Sequence, residues 1–313
     1  MYDTITLRLE TMNAEGCMSK LTETSEIIHG DTGEWRYRGK LQNLRVKGWG
    51  GGIWLTGSLP KFHLGSNIET LPREDTPRAI EHLSDELNQP MAEARVFRVD
   101  VAQTFAMERP PSDYWRCFLA PARMKRIEYA NEDLTFRNRQ RSIVFYDKLA
   151  EMRRKRAGSN GRPDLDGASR FRSQPHLLRY EVQSKRQLGR AFGEHEIRAA
   201  SLSNPAFYEK VVGRWQAIYF GLERVSSVPQ PVGRTTVKSG VNFLTALGLQ
   251  TYGPQRYFDE VDADLHAGLI DKYQAHRLRK KSRELLRGGG ITGTVDVLEE
   301  LDTKVKQAVA LCE

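Results

Sequence analysis

The chain has 313 residues, 39% hydrophobic and 28% charged, enough apolar content for a real core and too much for wholesale disorder. No run of ~18 apolar residues occurs and the N-terminus alternates in polarity, which argues against a spanning helix and a signal peptide; three distant cysteines (Cys17, Cys117, Cys312) fit a reducing cytoplasm. Lys plus Arg outnumber Asp plus Glu by 48 to 40, giving +8 and an isoelectric point near 9.4, a balance that suits a polyanionic partner.

The first half reads as strands with few helices. Residues 4–9 alternate, 41–47 form a candidate strand, and Gly48-Trp49-Gly50-Gly51-Gly52 breaks it before a β-rich register resumes over 53–59. Thr76-Pro77 followed by Ile80, Leu83 and Leu87 predicts a capped amphipathic helix. Residues 94–105 are the strongest strand, with Phe97, Val99 and Val101 facing the core and Arg98 and Asp100 on the other face. Further strands are expected over 125–130, 133–137, 141–148 and 177–183. In the third of these, Ile143 and Phe145 share one face and Val144 and Tyr146 the other. Residues 149–156 read as a basic helix, and the Gly-, Ser- and Pro-rich stretch over 157–169 as a loop.

From about residue 185 the pattern turns helical, first over 206–222, then near 240–248, 254–268, 269–287 and 295–311. The fold class is therefore α+β: an antiparallel sheet with flanking helices over residues 1–225, a linker over 226–235, and a small helical C-terminal domain over 236–313. The charge is uneven as well. Between Arg123 and Arg190 stand 18 basic and 8 acidic residues, so the rest of the chain is slightly acidic. A concentrated basic tract points to nucleic acid, and a solvated basic surface is the plainer alternative.

Several familiar sites are missing from the sequence. It has no phosphate loop ending in Gly-Lys-Ser/Thr, no Gly-x-Ser-x-Gly, no His-Glu-x-x-His and no Cys-x-x-Cys. Seven scattered histidines make no His-x-His pair, the metal-holding feature of the largest class of single-strand nicking enzymes. What remains is a set of strand-borne polar residues: Asp100, Tyr146 with Lys148, and Glu181. Carboxylates on neighbouring strands suit a hard divalent ion, and a tyrosine beside it can act as a nucleophile. From spacing alone the plainer reading prevails: Asp100 and Glu181 are ion-pair partners of Arg98 and Arg179, and Tyr146 is an ordinary sheet tyrosine.

The order of three blocks changes that balance. Val96-Phe97-Arg98-Val99-Asp100-Val101, then Ile143-Val144-Phe145-Tyr146-Asp147-Lys148, then Leu178-Arg179-Tyr180-Glu181-Val182, resembles the gene II/X replication initiators of filamentous phages and related rolling-circle plasmid initiators. The stretches Gly57-Ser58-Leu59-Pro60-Lys61-Phe62 and Phe207-Tyr208-Glu209-Lys210 add to the resemblance, which covers roughly residues 1–220. It implies a rolling-circle initiator that nicks and rejoins one strand of origin DNA through a 5′-phosphotyrosine. Tyr146 would be the nucleophile, Asp100 and Glu181 the ligands of Mg²⁺ or Mn²⁺, and Lys148 and Arg141 the cations beside the scissile phosphate. It also implies a bacterial cytoplasm, single-stranded or supercoiled origin DNA, and a host helicase and polymerase as partners. Arg137, Arg139, Arg153, Arg154, Lys155 and Arg156 are expected to track the DNA backbone. The helix bearing Arg277, Arg279, Lys280, Lys281 and Arg283 reads as an origin reader, a homodimer contact or a packing appendage. A non-enzymatic DNA-binding regulator is the alternative, and a metal nuclease that activates water a third reading.

Overall fold

A computed structural model describes residues 1–28, 34–129, 132–157, 171, 173–225, 236–287 and 297–311, with backbone alone at 155–157. The expected linker (226–235) and all but the first residue of the expected loop (157–169) lie outside these. Strands β1 (Tyr2–Glu10), β2 (Thr22–Ile28), β3 (Trp35–Leu41), β4 (Leu44–Trp49) and β5 (Gly52–Ser58) build one half of a single sheet. Its other half is β6 (Arg95–Met107), β7 (Lys125–Tyr129), β8 (Asp133–Arg137), β9 (Arg141–Asp147) and β10 (His176–Ser184). Helices α1 (Ala14–Met18), α2 (Leu59–Leu64), α3 (Thr76–Leu87), α4 (Pro111–Trp115) and α5 (Lys148–Ala157) connect the strands, and α6 (Leu188–Phe192) follows β10. The order is β2-β3-β4-β5-β1-β6-β10-β9-β8-β7, antiparallel throughout. The α+β class expected from the sequence is what the chain adopts.

Alternation gives the sheet two unlike faces. Ile5, Leu7, Val99, Val101, Ile143, Phe145, Tyr180 and Val182 are all buried on the first. That face is covered by α7 (Pro205–Phe220), whose N-cap Asn204 accepts a hydrogen bond from the Phe207 amide. Phe207, Val211, Trp215 and Tyr219, four residues apart, form its buried stripe. The rings of Phe145, Tyr180 and Trp215 then stack in succession, with centroids 4.8 and 4.7 Å apart.

Glycine is needed at two points of the β4–β5 hairpin. A Cβ on Gly48 would lie 1.9 Å from the Tyr37 ring, and one on Gly52 2.3 Å from the Leu9 carbonyl. This confirms the expected turn around Gly48–Gly52. The hairpin of β2 with β3 is not foreseen from the sequence, because β2 is an edge strand exposed along almost its whole length and has no buried face to impose alternation.

Two bulges change which side chains reach the second, polar face. One between Tyr2 and Ile5 turns Asp3 onto it. The other, opposite Thr6 and Leu7, gives β6 an extra residue, so Phe97 does not face the core as expected. Its ring packs against Trp54 of β5, centroids 4.8 Å apart, on the polar side.

The C-terminal helices divide into two groups. Helices α8 (Val237–Tyr252), α9 (Pro254–His266) and α10 (Lys272–Leu286) gather Leu249, Phe258 and Leu286 around Leu119 and Val225. Helix α11 (Leu298–Ala310) instead joins the sheet's own core through Leu298, Leu301 and Val305. Its Asp302 accepts from Tyr219 Oη (2.7 Å) and pairs with Arg224 (2.6 Å). Within the other group, Arg279 pairs with Asp262, and Arg283 with Glu223 at 2.9 Å, so two residues of the α10 basic row serve packing. No described helix is long and apolar enough to cross a membrane.

Candidate active site

The polar face carries a buried ionic cluster where β1, β6, β10 and β9 lie side by side. Arg179 stands opposite both Thr104 and Tyr146 in the register, which puts all three on this face. Glu181 is two residues further along β10, and Asp100 on β6 is opposite Gln183. Helix α5 (Lys148–Ala157) begins directly after β9 and folds over this face, with Leu149 and Met152 against Ile68, Phe171 and Leu177. Asp147 caps its first turn by accepting from the amides of Leu149 and Ala150.

Arg179 is fully buried at the centre. One Nη donates to the Asn67 carbonyl (2.7 Å) and Thr104 Oγ1 (3.0 Å). The other pairs with Asp3 at 2.8 Å, and Nε lies 3.9 Å from Glu181. Neither Nε nor this second Nη makes a well-formed hydrogen bond among the described residues. Asp100 takes a two-pronged ion pair from Arg98, at 2.9 and 2.5 Å. Lys148 is buried, paired with Glu151 at 2.9 Å and donating to Asn67 Oδ1 at 3.1 Å. Its Nζ lies 5.8 Å from the Tyr146 ring centroid.

These surroundings move the titrations. Burial holds the Asp100 carboxyl well above its ordinary value despite the Arg98 pair, and Glu181 and Asp3 add repulsion. Glu181 is raised by burial and by Asp3. Asp3 goes the other way: burial would raise it, but Arg179, Ser58 and Lys148 together hold it low. Burial lowers Lys148 to about 8, with Arg179 adding to the effect. The Tyr146 phenol is pushed well up by burial, which the Arg179 charge opposes. Its hydroxyl makes no hydrogen bond among the described residues.

Asp100, Glu181, Tyr146 and Lys148, each singled out from the sequence, are thus brought together. The plainer reading of the two carboxylates is also realised, since both sit beside their arginines. Arg141 is a correction. It lies at the far end of β9 opposite Ser184, on the face away from Tyr146, and lines a hollow of about 340 Å³ with Arg186, Arg190 and Arg214. Arg137 and Arg139 are exposed near the β8–β9 turn, and Arg153 and Arg154 are exposed on α5, with Arg154 3.1 Å from Glu132. The side chains of Lys155 and Arg156 lie outside the described residues. Sequence reasoning misses Asp3, whose place depends on a bulge, and Asn67, which lies outside any helix or strand.

Among the described residues no group of three or more Asp, Glu, His or Cys side chains could hold a metal ion. Asp100 and Glu181 offer oxygen ligands of the kind a hard cation takes. Comparison with known protein families matches residues 1–204 to the family formed by the N-terminal part of the phage replication-associated protein of the gene II type. The chain belongs to this family. It is a replication initiator of the filamentous-phage gene II type, a class associated with endonuclease action and origin-DNA binding. The matched span runs from β1 to the residue before α7 and contains every residue of the ionic cluster. No curated protein matches the chain.

Proposed function

We propose that this initiator cuts one strand at the replication origin and later rejoins it, with Tyr146 as the nucleophile. The phenolate oxygen attacks the phosphorus, the bond to the 3′ oxygen breaks, and that oxygen leaves to become a 3′-hydroxyl. The 5′-phosphate stays esterified to Tyr146, which conserves the bond energy for resealing without ATP. The observation carrying this reading is that, of Tyr146 and its rivals, only Tyr146 has its hydroxyl beside the cluster with no hydrogen bond among the described residues. Tyr180 faces the other way and donates to the Trp215 carbonyl. Tyr208 accepts from the N-terminal amine, and Tyr129 is exposed on β7.

Burial keeps Tyr146 protonated at rest, so attack requires loss of that proton when substrate arrives. Arg179 lowers the cost of the phenolate and has donors to spare for a phosphate oxygen. Lys148, a cation below about pH 8, can neutralise charge developing on the phosphate. Asp100 and Glu181 would hold Mg²⁺ or Mn²⁺, which needs only one or two carboxylates when water and phosphate oxygens complete its shell. Their pKa values, raised first by burial and further by repulsion from Asp3, with Glu181 also acting on Asp100, mark a place where added positive charge is favourable. When bound, the ion would act as a Lewis acid on the phosphate. This reading places the reaction in a bacterial cytoplasm, where a host helicase would unwind the strand and a host polymerase extend the 3′ end. Residues 1–225 would form the nicking unit, with α11 completing its core; a homodimer through α8–α10 belongs to the same proposal.

Incubation with supercoiled origin plasmid and Mg²⁺ tests it. Open-circular product with protein attached to the 5′ end is expected, with the nucleotide mapped to the peptide carrying Tyr146. Tyr146→Phe deletes one oxygen and keeps the ring, so it should bind origin DNA and form no adduct. A nick without a covalent link would select the water-activating nuclease, and binding without any nick the regulator.

A further inference from the structure

The half of the polar face furthest from the ionic cluster has its own chemistry. Strands β3, β4 and β5 contain no aspartate or glutamate at all. Their register places Arg36, Arg38, Lys40, Arg45 and Lys47 on this one face, all of them exposed. Trp49 and Trp54 share the face as diagonal neighbours across β4 and β5, each partly exposed. Arg8 of β1 stands opposite Trp54, and its guanidinium lies 5.3 Å from the Trp49 ring centroid. Together with Arg36, Arg38, Lys47 and Glu34 these residues line a hollow of about 640 Å³; Glu34 pairs with Arg36 at 2.7 Å, and Arg8 and Lys40 pair with Glu10 and Glu23. Neither Arg38 nor Lys47 has a carboxylate partner among the described residues; Arg38 Nε donates to Ser25 Oγ at 2.8 Å. A row of exposed cations alone would be an ordinary solvated sheet face. Two indole rings among them, in a hollow with room for a planar group, are not explained that way.

We infer that this hollow is a stacking site for unpaired bases, and that the cations around it hold the phosphates of a single DNA strand lying across the sheet. Bases stacked on aromatic rings beside a cationic groove are how single strands are held without sequence readout. A duplex would not serve, because its base faces are already stacked on each other. The bulge that turns Phe97 onto Trp54 extends the aromatic surface toward Arg98 and Asp100. From β5 to β9 is four strand steps, about 19 Å across the sheet, and Trp54 stands level with Arg95 whereas Tyr146 stands level with Thr104, about 30 Å further along the strands, so a single strand of several nucleotides running diagonally would reach both the indoles and Tyr146. The inference deepens the nicking proposal by giving the strand beside the cut a place to rest.

Fluorescence anisotropy can test it with three labelled probes: an oligothymidylate, an abasic strand of equal length, and a duplex. Combined Trp49→Ala and Trp54→Ala should weaken the oligothymidylate about tenfold or more, and leave the abasic strand and the duplex unchanged. Trp54→Phe alone should keep most of the affinity, since a ring remains. Because the indoles also pack, thermal melting accompanies each variant; Arg38→Glu with Lys47→Glu, both exposed, gives a second route. That pair should weaken both single strands and flatten their salt dependence. Oligothymidylate bound at wild-type strength by the alanine variants, or an abasic strand bound as tightly as oligothymidylate by the wild type, overturns the inference. Tyr146→Phe should bind all three probes normally, so a failure of the nicking chemistry would show separately.

Discussion

Arg179 is fully buried yet surrounded by groups that favour its charge. Burial works against the cation, but Tyr146, Asp3 and Glu181 hold its pKa above the ordinary value. Lys148, close by, is on the losing side of the same competition and falls to about 8. Between pH 8 and its ordinary value of 10.5, Lys148 therefore binds fewer protons in the folded chain than in the unfolded one. Its charging penalty is complete below pH 8 and relieved as pH rises through that window. Urea unfolding across pH 7 to 11 should show wild type gaining roughly 3 kcal/mol relative to Lys148→Met; parallel curves would refute the buried, charged lysine. Nicking should decline above about pH 8 as the cation is lost, and Lys148→Arg should remove that alkaline limb. Glu181→Gln tests a different property of the cluster. It keeps the shape and removes the negative charge, so nicking in limiting Mg²⁺ should fall roughly a hundredfold or more while origin binding persists. A variant that cuts at wild-type rate would take Glu181 out of the site.

At the scale of elements, what the sequence discloses follows from how strongly each residue is constrained. Strands β6, β9 and β10 are legible because their core faces are buried and alternation is enforced by packing; they carry Asp100, Tyr146 and Glu181, and Lys148 follows β9 directly at the start of α5. The helix over Thr76–Leu87 is legible from its proline and its apolar spacing, and it forms with those bounds. Asp3 and Phe97 are not, because a single inserted residue reverses the face of its neighbours and leaves no trace in composition. The role of α11 is hidden for another reason: amphipathic spacing shows that a helix has a buried face, not which surface receives it. Its Leu301 and Val305 are fully buried in the core of the sheet. Leu301→Ala should consequently cost about 2–5 kcal/mol, read as a lower urea midpoint. A chain ending after residue 225 should lose cooperative unfolding, although it retains the whole matched family span and α7. A sharp, wild-type-like transition for that fragment would show that α11 only decorates the core.

Across the whole molecule, the basic tract from Arg123 to Arg190 is not one surface. Arg179 and Lys148 are interior and belong to the ionic cluster, and Arg126 is paired with Glu128 at 2.5 Å. Arg141, Arg186 and Arg190 surround a separate hollow with Arg214, on the side away from Tyr146. Among the described residues, the exposed cations expected to track DNA fall into two places. Arg137 and Arg139 stand where β8 turns into β9, whereas Arg154 is tied to Glu132 at the opposite end of β8. Five residues of strand separate these places by about 17 Å, too far for one phosphate to touch both. If both lie on the path of the DNA, their contributions to counterion release are independent and add. Arg137→Ala with Arg139→Ala, and separately Arg153→Ala with Arg154→Ala, should each flatten the plot of log affinity against log salt. The expected change is about 0.7 for each phosphate no longer neutralised on a single strand, and all four substitutions together should give the sum. An unchanged slope for either pair removes that end of β8 from the path, and a combined change no larger than one pair's would mean that both ends serve the same phosphate.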